Sequence, residues 1–158
     1  MAILLETQKA QKARQLFCEG YNCAQAVFGA FAEETGMDWE TAMLLTSSMG
    51  GGVARMREVC GAVSGMALAA GLLWGYSSPT AQEEKKAHYA GVQKLCGHFI
   101  AENGSIVCHQ LLEGVLVTAG GVPEQRSESY YKKRPCGELV ACAAAILEQE
   151  LENRGYKK

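Results

Sequence analysis

The sequence lacks the short cysteine motifs that mark the commonest redox and metal sites. It contains no Cys-x-x-Cys pair, which excludes the thioredoxin motif and local zinc-ribbon pairs. It contains no Cys-x-x-Cys-His, so covalent c-type haem is not expected, and the ferredoxin spacings are missing as well. Its seven cysteines are scattered along the chain. Any site that several of them share must therefore be built from distant segments.

An excess of charge of one sign is also lacking. With 15 basic and 17 acidic residues the net charge is −2, which offers no electrostatic basis for binding nucleic acid or a membrane surface. The uncharged run 59–75 is shorter than the roughly 20 apolar residues of a membrane span and is rich in glycine and alanine. We expect a buried central helix there. The N-terminus shows no export signal, so the cysteines favour a cytoplasmic protein with metal or redox chemistry.

Alternating strand patterns are missing too, and apolar residues recur with helical spacing. We predict an all-α fold: one helical-bundle domain over residues 1–158, with five to seven helices and a loop-rich excursion at 114–135. A glycine-rich break should precede the small-residue central helix. The predicted helices cover residues 4–19, 23–35, 39–49, 60–73, 78–102, 106–112 and 136–153. Within the excursion, the aromatic and basic run 130–134 would either bind an anion or a nucleic-acid phosphate or form a solvated flap, and the acidic residues around it favour the flap.

Four cysteines fall where a helix is predicted to begin: Cys23, Cys60, Cys108 and Cys136. The first follows Asn22, which we predict to cap its helix in a capping box. The free N–H groups and positive dipole end of a helix start favour thiolate over thiol. Thiolate is the form that binds metals and attacks disulfides. If the four helix starts converge, they form a redox or metal site.

Glycines are predicted to support this site. Gly50, Gly51 and Gly52 would let the backbone pass close to the cysteines or to another helix. Gly61 and Gly65, spaced four apart, would let neighbouring helices approach each other.

Other residues near these motifs leave two interpretations open. Arg55 and Arg57, just after the glycines, would either favour a nearby thiolate or anion or lie in solvent. Cys18, Cys96 and Cys142 fit the apolar faces of helices, where a cysteine acts as a small buried hydrophobe.

The chain resembles the C_GCAxxG_C_C family of redox-active proteins. The resemblance rests on GYNCAQAV at 20–27, GGG at 50–52 leading to CGAVSG at 60–65, and the last two helix-start cysteines with the apolar residues that follow them. It covers about residues 9–151 and implies that Cys23, Cys60, Cys108 and Cys136 are the family cysteines. It further implies a link to transporter loci. A related segment occurs in split-Soret cytochromes, which implies an iron–sulfur centre as one expectation.

Three functions follow as hypotheses. The first is a redox protein whose four cysteines hold an iron–sulfur cluster or zinc, or cycle as dithiol and disulfide, with an electron-transfer partner. The second is a helical module that binds a small ligand or a transporter partner, with the cysteines packed in its core. The third is an enzyme with one activated cysteine as nucleophile, for which the sequence selects no substrate.

Overall fold

The computed structural model describes residues 6–156, and within them it is all-α, as predicted. Nine α-helices and one short 3-10 turn make up this part of the chain, more than the five to seven helices expected. The helices are α1 (Gln8–Cys18), α2 (Cys23–Ala30), α3 (Ala32–Thr35), α4 (Trp39–Thr46), α5 (Gly61–Trp74), α6 (Gln82–Asn103), α7 (Cys108–Leu111), α8 (Glu128–Lys133) and α9 (Cys136–Asn153). The 3-10 turn is Ser47–Met49.

The additional helices have local causes. The helix predicted at 23–35 breaks at Phe31, whose backbone leaves the helical region (φ −109°, ψ 22°) while its ring is fully buried. A separate helix, α8, forms inside the excursion at 114–135 because Ser127 caps it by accepting a hydrogen bond from the Tyr130 N–H. The predicted start of the first helix at residue 4 lies outside the described residues. Within them α1 begins after Thr7, whose hydroxyl accepts from the Ala10 N–H.

The core is built around the small-residue helix α5. It packs against α2, while α1 lies along α9 and also contacts α2. The largest fully buried side chains include Phe28, Met66, Phe99 and Ile146, each contributing about 1.5–3 kcal/mol of transfer free energy. Among residues 6–156, no helix combines the length and apolar character needed to cross a bilayer.

Small residues set how closely α5 and α2 approach each other. A methyl group at Gly65 would lie 2.6 Å from the Ala24 carbonyl oxygen and 3.2 Å from Val27 Cβ. These distances are below ordinary van der Waals contact, so the spacing of the two helices depends on glycine at this position, as the sequence suggested.

One face of α6 packs against the core. Gly91, Leu95 and Phe99 are buried and Cys96 is half-buried beside them, whereas Tyr89 is 51% exposed. The Tyr89 ring contacts that of Tyr76, with 6.2 Å between the ring centroids.

One isolated β-bridge ties the segment before α5 to the segment before α7. Val59 pairs with Val107 in antiparallel fashion. On either side of this bridge, the Cys60 N–H donates to the Ile106 carbonyl (2.7 Å) and the Cys108 N–H donates to the Glu58 carbonyl (2.6 Å). The bridge therefore holds two helix-start cysteines beside each other, although they are far apart in sequence.

Candidate functional site

The four helix-start cysteines line one cavity. Its volume is about 50 Å³, and Cys23, Cys60, Cys108 and Cys136 are all on its wall. Cys23, Cys108 and Cys136 are the first residues of α2, α7 and α9, and Cys60 immediately precedes α5. The remaining wall combines apolar, aromatic and cationic side chains with two glycines: Phe17, Leu111, Leu112, Leu139, Tyr130, Arg57, Arg126, Arg134, Gly51 and Gly61. Four separate segments thus deliver thiols to a single small space.

Asn22 fixes the start of α2 and with it Cys23. Its side chain accepts from the Gln25 N–H at 2.8 Å, and the Gln25 side chain accepts from the Asn22 N–H at 3.0 Å. This is the capping box predicted from the sequence. The Asn22 amide also donates to the Ser47 carbonyl at 3.1 Å, which joins the cap to the first residue of the 3-10 turn.

The glycines lie where a side chain would collide with the cysteines or their supports. A methyl at Gly61 would overlap the Cys23 sulfur, and one at Gly52 would lie 2.8 Å from Cys108 Cβ. A methyl at Gly50 would lie 2.7 Å from Cβ of Asn22. The backbone therefore passes close to the cysteine site.

The sequence did not predict the left-handed turn that follows these glycines. Positive φ values run without interruption from Gly51 (67°) to Arg55 (69°), and Arg57 has φ of 63°. Left-handed backbone costs a residue other than glycine about 1–2 kcal/mol. Hydrogen bonds hold the turn closed, including Arg57 N–H to the Gly51 carbonyl at 3.0 Å. Such strain is concentrated at functional sites in proteins.

Burial dominates the protonation of the thiols, contrary to the expected thiolate character. It raises the pKa of Cys23, raises that of Cys60 well above the ordinary range, and raises that of Cys136 to about 12 despite the nearby Arg134. The helix starts do act in the expected direction. The Gly51 N–H bonds to Cys23, and the Ala62 and Val63 N–H groups bond to Cys60, lowering each pKa. Loss of hydration outweighs these bonds.

Arg57 contacts the site directly. The residue is 5% exposed, its Nε donates to the Thr118 carbonyl at 3.0 Å, and its Nη1 lies 3.8 Å from the Cys108 sulfur. Of the two interpretations of Arg57, the structure supports the one in which its side chain lies beside a cysteine sulfur rather than in solvent. Arg55 is also largely covered, since its side chain is 14% exposed. Neither arginine is a freely solvated side chain.

The segment interpreted as a solvated flap is a wall of the cavity, and that prediction was wrong. The Arg126 guanidinium stacks 4.4 Å from the Phe17 ring centroid and 4.8 Å from that of Tyr130. The Arg134 guanidinium lies 4.4 Å from the same Tyr130 ring, with its side chain 5% exposed. Cation–π stacking and burial of the tyrosine rings together hold this segment against the core. The acidic residues around the segment suggested solvent exposure, but one of them, Glu124, forms an ion pair with Arg134.

The other three cysteines do not line this cavity. Cys142 is buried, as predicted, and lies 3.4 Å from the Asn103 amide nitrogen. Cys96 is half-buried, and Cys18 is exposed, so the prediction of burial was wrong for Cys18. Cys18 occupies the last position of α1, where the helix turns away from the core.

A single metal ion does not fit the side chains as they are arranged. In the described part of the chain, no three His, Cys, Asp or Glu side chains are grouped so that they could hold one ion. The four cysteines line the wall of one cavity. The choice between a site for one metal ion and a cluster of several metal ions depends on this arrangement.

The fold and cavity define a class: an all-α protein in which four separate segments bring four cysteines to one buried cavity. The chain belongs to the C_GCAxxG_C_C family, described as "Putative redox-active protein", whose model matches residues 21–150 and so spans all four cysteines. Comparison with curated proteins and with solved structures gave no match.

Proposed function

We propose that the protein transfers electrons through one centre in which Cys23, Cys60, Cys108 and Cys136 hold an iron–sulfur cluster. The observation that carries the proposal is that four cysteine thiols line the same buried cavity. Four cysteine thiolates are the standard ligand set of such clusters, which supply one-electron transfer when bound. The proposal includes an electron-transfer partner.

The protonation of the thiols favours a cluster over dithiol–disulfide cycling. A thiol attacks a disulfide as the thiolate, and burial keeps the pKa of Cys60 and Cys136 far above neutral pH. Cycling through these groups would therefore be slow. Metal cations, by contrast, deprotonate coordinating thiols outright. The same burial that disfavours exchange chemistry is thus compatible with metal ligation.

The arrangement of the thiols around a cavity favours a cluster over a single zinc ion. A structural zinc site requires four ligands on one ion at about 2.3 Å from each sulfur. The described residues offer no such group. A cluster distributes its ligands over several metal atoms, so it accommodates sulfurs that line a cavity without meeting at one point.

The chain's own groups would tune such a centre. Gly51, Ala62 and Val63 direct backbone N–H groups at the sulfurs, and Arg57 adds a cationic donor beside Cys108. Hydrogen bonds to the sulfurs and positive charge stabilise the reduced, more negative state and so raise the reduction potential. The apolar residues of the wall limit access of water.

Serine substitution of individual cysteines tests the proposal. In protein isolated without oxygen, we expect C23S, C60S, C108S and C136S each to lose most of their iron and sulfide. Cys142→Ser is the matched control, because that cysteine is as buried as Cys60 and Cys108 but lies outside the cavity wall. It should keep the iron and sulfide of the unchanged protein.

Three results would contradict the proposal. Equal iron content in C60S and C142S would mean that the cavity cysteines are not ligands. Metal-free protein whose four cavity thiols form disulfides on oxidation would instead support thiol cycling. Metal-free protein with unreactive thiols would favour the binding-module hypothesis, in which C60S changes stability only modestly.

A further inference from the structure

A second cavity adjoins the cysteine cavity. Its volume is about 360 Å³, and it shares Gly51, Arg57, Arg126, Tyr130 and Arg134 with the wall of the first. Pockets that bind small molecules have volumes of about 300–1,000 Å³. The second cavity is therefore large enough for a small organic molecule, and these shared residues place it next to the cysteine cavity.

This cavity concentrates positive charge. Four of the six arginines of the chain line it: Arg55, Arg57, Arg126 and Arg134. Among its described lining residues, Glu124 is the one carboxylate, and it binds Arg134 and lies 3.6 Å from Arg55. A single acidic group cannot neutralise four guanidinium groups, although the whole protein carries a net charge of −2.

Arg126 and Arg57 are the cations that this carboxylate does not pair. Within residues 6–156, Arg126 donates to the carbonyls of Phe17 (3.2 Å) and Tyr21 (3.0 Å), not to a carboxylate. Arg57 is 5% exposed, and its buried Nη2 has no hydrogen-bond partner in this part of the chain. A buried cationic donor without a partner is costly. Its position on the wall of both cavities points to an anion that is not part of the protein.

The guanidinium groups are also fixed in place. Arg55 Nε donates to the Gly120 carbonyl at 2.9 Å and Arg57 Nε to the Thr118 carbonyl at 3.0 Å, while Arg126 and Arg134 stack on Tyr130. Little side-chain entropy remains to be lost when a ligand binds. A planar guanidinium fork recognises carboxylate and phosphate oxygens in two-point fashion.

We propose that this second cavity binds a small molecule through a carboxylate or phosphate group, and that it places that molecule beside the cysteine centre. That the molecule is a redox reactant of the centre rests on the proposed function. The binding of the molecule does not rest on the proposed function, because the second cavity can bind an anion without a cluster in the first. Asn22, Gly50 and Gly51 also line this cavity.

Calorimetric titration tests the inference. Protein isolated without oxygen is titrated with sodium phosphate, with sodium succinate, and with sodium chloride at matched ionic strength, and its iron content is measured on the same sample. We expect saturable binding of phosphate or succinate and none of chloride. Binding of phosphate alone identifies a tetrahedral oxyanion as the recognised group, and binding of succinate alone identifies a carboxylate.

Three variants locate the binding. Arg57→Gln should weaken it by about tenfold or more, since hydrogen bonds to charged groups contribute about 1.5–3 kcal/mol each. Ser47→Glu places a carboxylate at an exposed position of the second cavity and changes no cysteine, so it should abolish the binding. This variant tests the inference if R57Q does not fold. Arg154→Gln, an arginine outside both cavities that stacks on Trp74, should bind as the unchanged protein does.

The outcomes separate the two proposals. Absence of saturable binding, or equal binding by S47E and the unchanged protein, overturns this inference even if iron is present. Saturable binding that S47E abolishes, in protein without iron, upholds the anion site and counts against the proposed iron–sulfur centre.

Discussion

Gly61→Ala is the substitution that most sharply probes how the fold shapes the cysteine cavity. The added methyl would overlap the Cys23 sulfur, and it would lie 2.8 Å from the Met49 carbonyl oxygen and 3.2 Å from the Ala24 nitrogen. Two of these three neighbours are backbone atoms, so they cannot move away by a change of rotamer. Either α5 shifts away from α2 or the cysteine is displaced from the cavity wall.

The same helix provides a matched control. A methyl at Gly71 would meet no atom within 4 Å, so Gly71→Ala makes the identical change in α5 without a collision. Replacing glycine by alanine within a helix stabilises it by about 0.5–1 kcal/mol, and overpacking costs about 1–3 kcal/mol. We therefore expect G71A to raise the free energy of unfolding slightly and G61A to lower it by about 1–2 kcal/mol.

Urea unfolding followed by circular dichroism, under reducing conditions and without oxygen, measures both values. Iron content measured on the same samples should fall in G61A and stay unchanged in G71A. If G61A proves as stable as G71A and retains its iron, the close approach of α5 to Cys23 does not define the site, and the reasoning fails.

Three further predictions follow from the same geometry. Asn22→Ala removes the capping box of α2 and should lower the free energy of unfolding by about 1 kcal/mol. Asn153→Ala, at the exposed end of α9, should change that free energy little. Thermal unfolding compares the two variants, and equal effects would show that the cap is unimportant. The reduced, metal-free protein should lose stability as pH rises above about 8.5, since unfolded thiols ionise there while burial keeps the pKa of Cys136 at about 12 in the folded state. The contribution of the Cys136 thiol to the free energy of unfolding is complete below about pH 8.5 and is lost toward pH 12. Urea unfolding at neutral and alkaline pH should therefore show a smaller loss of stability in C136S than in the unchanged protein. In the same metal-free protein iodoacetamide should modify the exposed Cys18 first and the buried Cys60 only on unfolding, and mass spectrometry of digests would reveal any reversal of this order.

Local signals in the sequence were sufficient for the helices and for the position of the four cysteines at helix starts. The capping box around Asn22 and Gln25 has a fixed spacing, so it can be read without tertiary information. Gly52 and Gly61 marked close approach correctly because a side chain there would collide with Cys108 and Cys23, and a side chain at Gly50 would collide with Asn22.

What the sequence could not supply depends on contacts between distant residues. The pairing of Val59 with Val107 has no local signature, yet it brings Cys60 and Cys108 together. The wall formed by α8 was missed because Tyr130 and Arg126 are buried by Phe17, more than 100 residues earlier in the chain.

The same dependence on distant contacts explains the wrong prediction of thiolate character. The helix-start N–H groups were inferred correctly, but their effect competes with burial, and burial is a property of the assembled core. No pattern within one segment reports how much water the finished cavity excludes. The left-handed turn at 51–55 could not be predicted from local sequence either, since three of its five residues are not glycine and carry no local signal for positive φ.

Measurement of iron and acid-labile sulfide in the unchanged protein isolated without oxygen, together with its visible spectrum, decides whether the protein holds an iron–sulfur cluster. We expect iron and sulfide in equal amounts and a broad absorption that bleaches when the protein is reduced. Colourless protein that remains free of iron and sulfide after reconstitution with both would contradict the proposed centre.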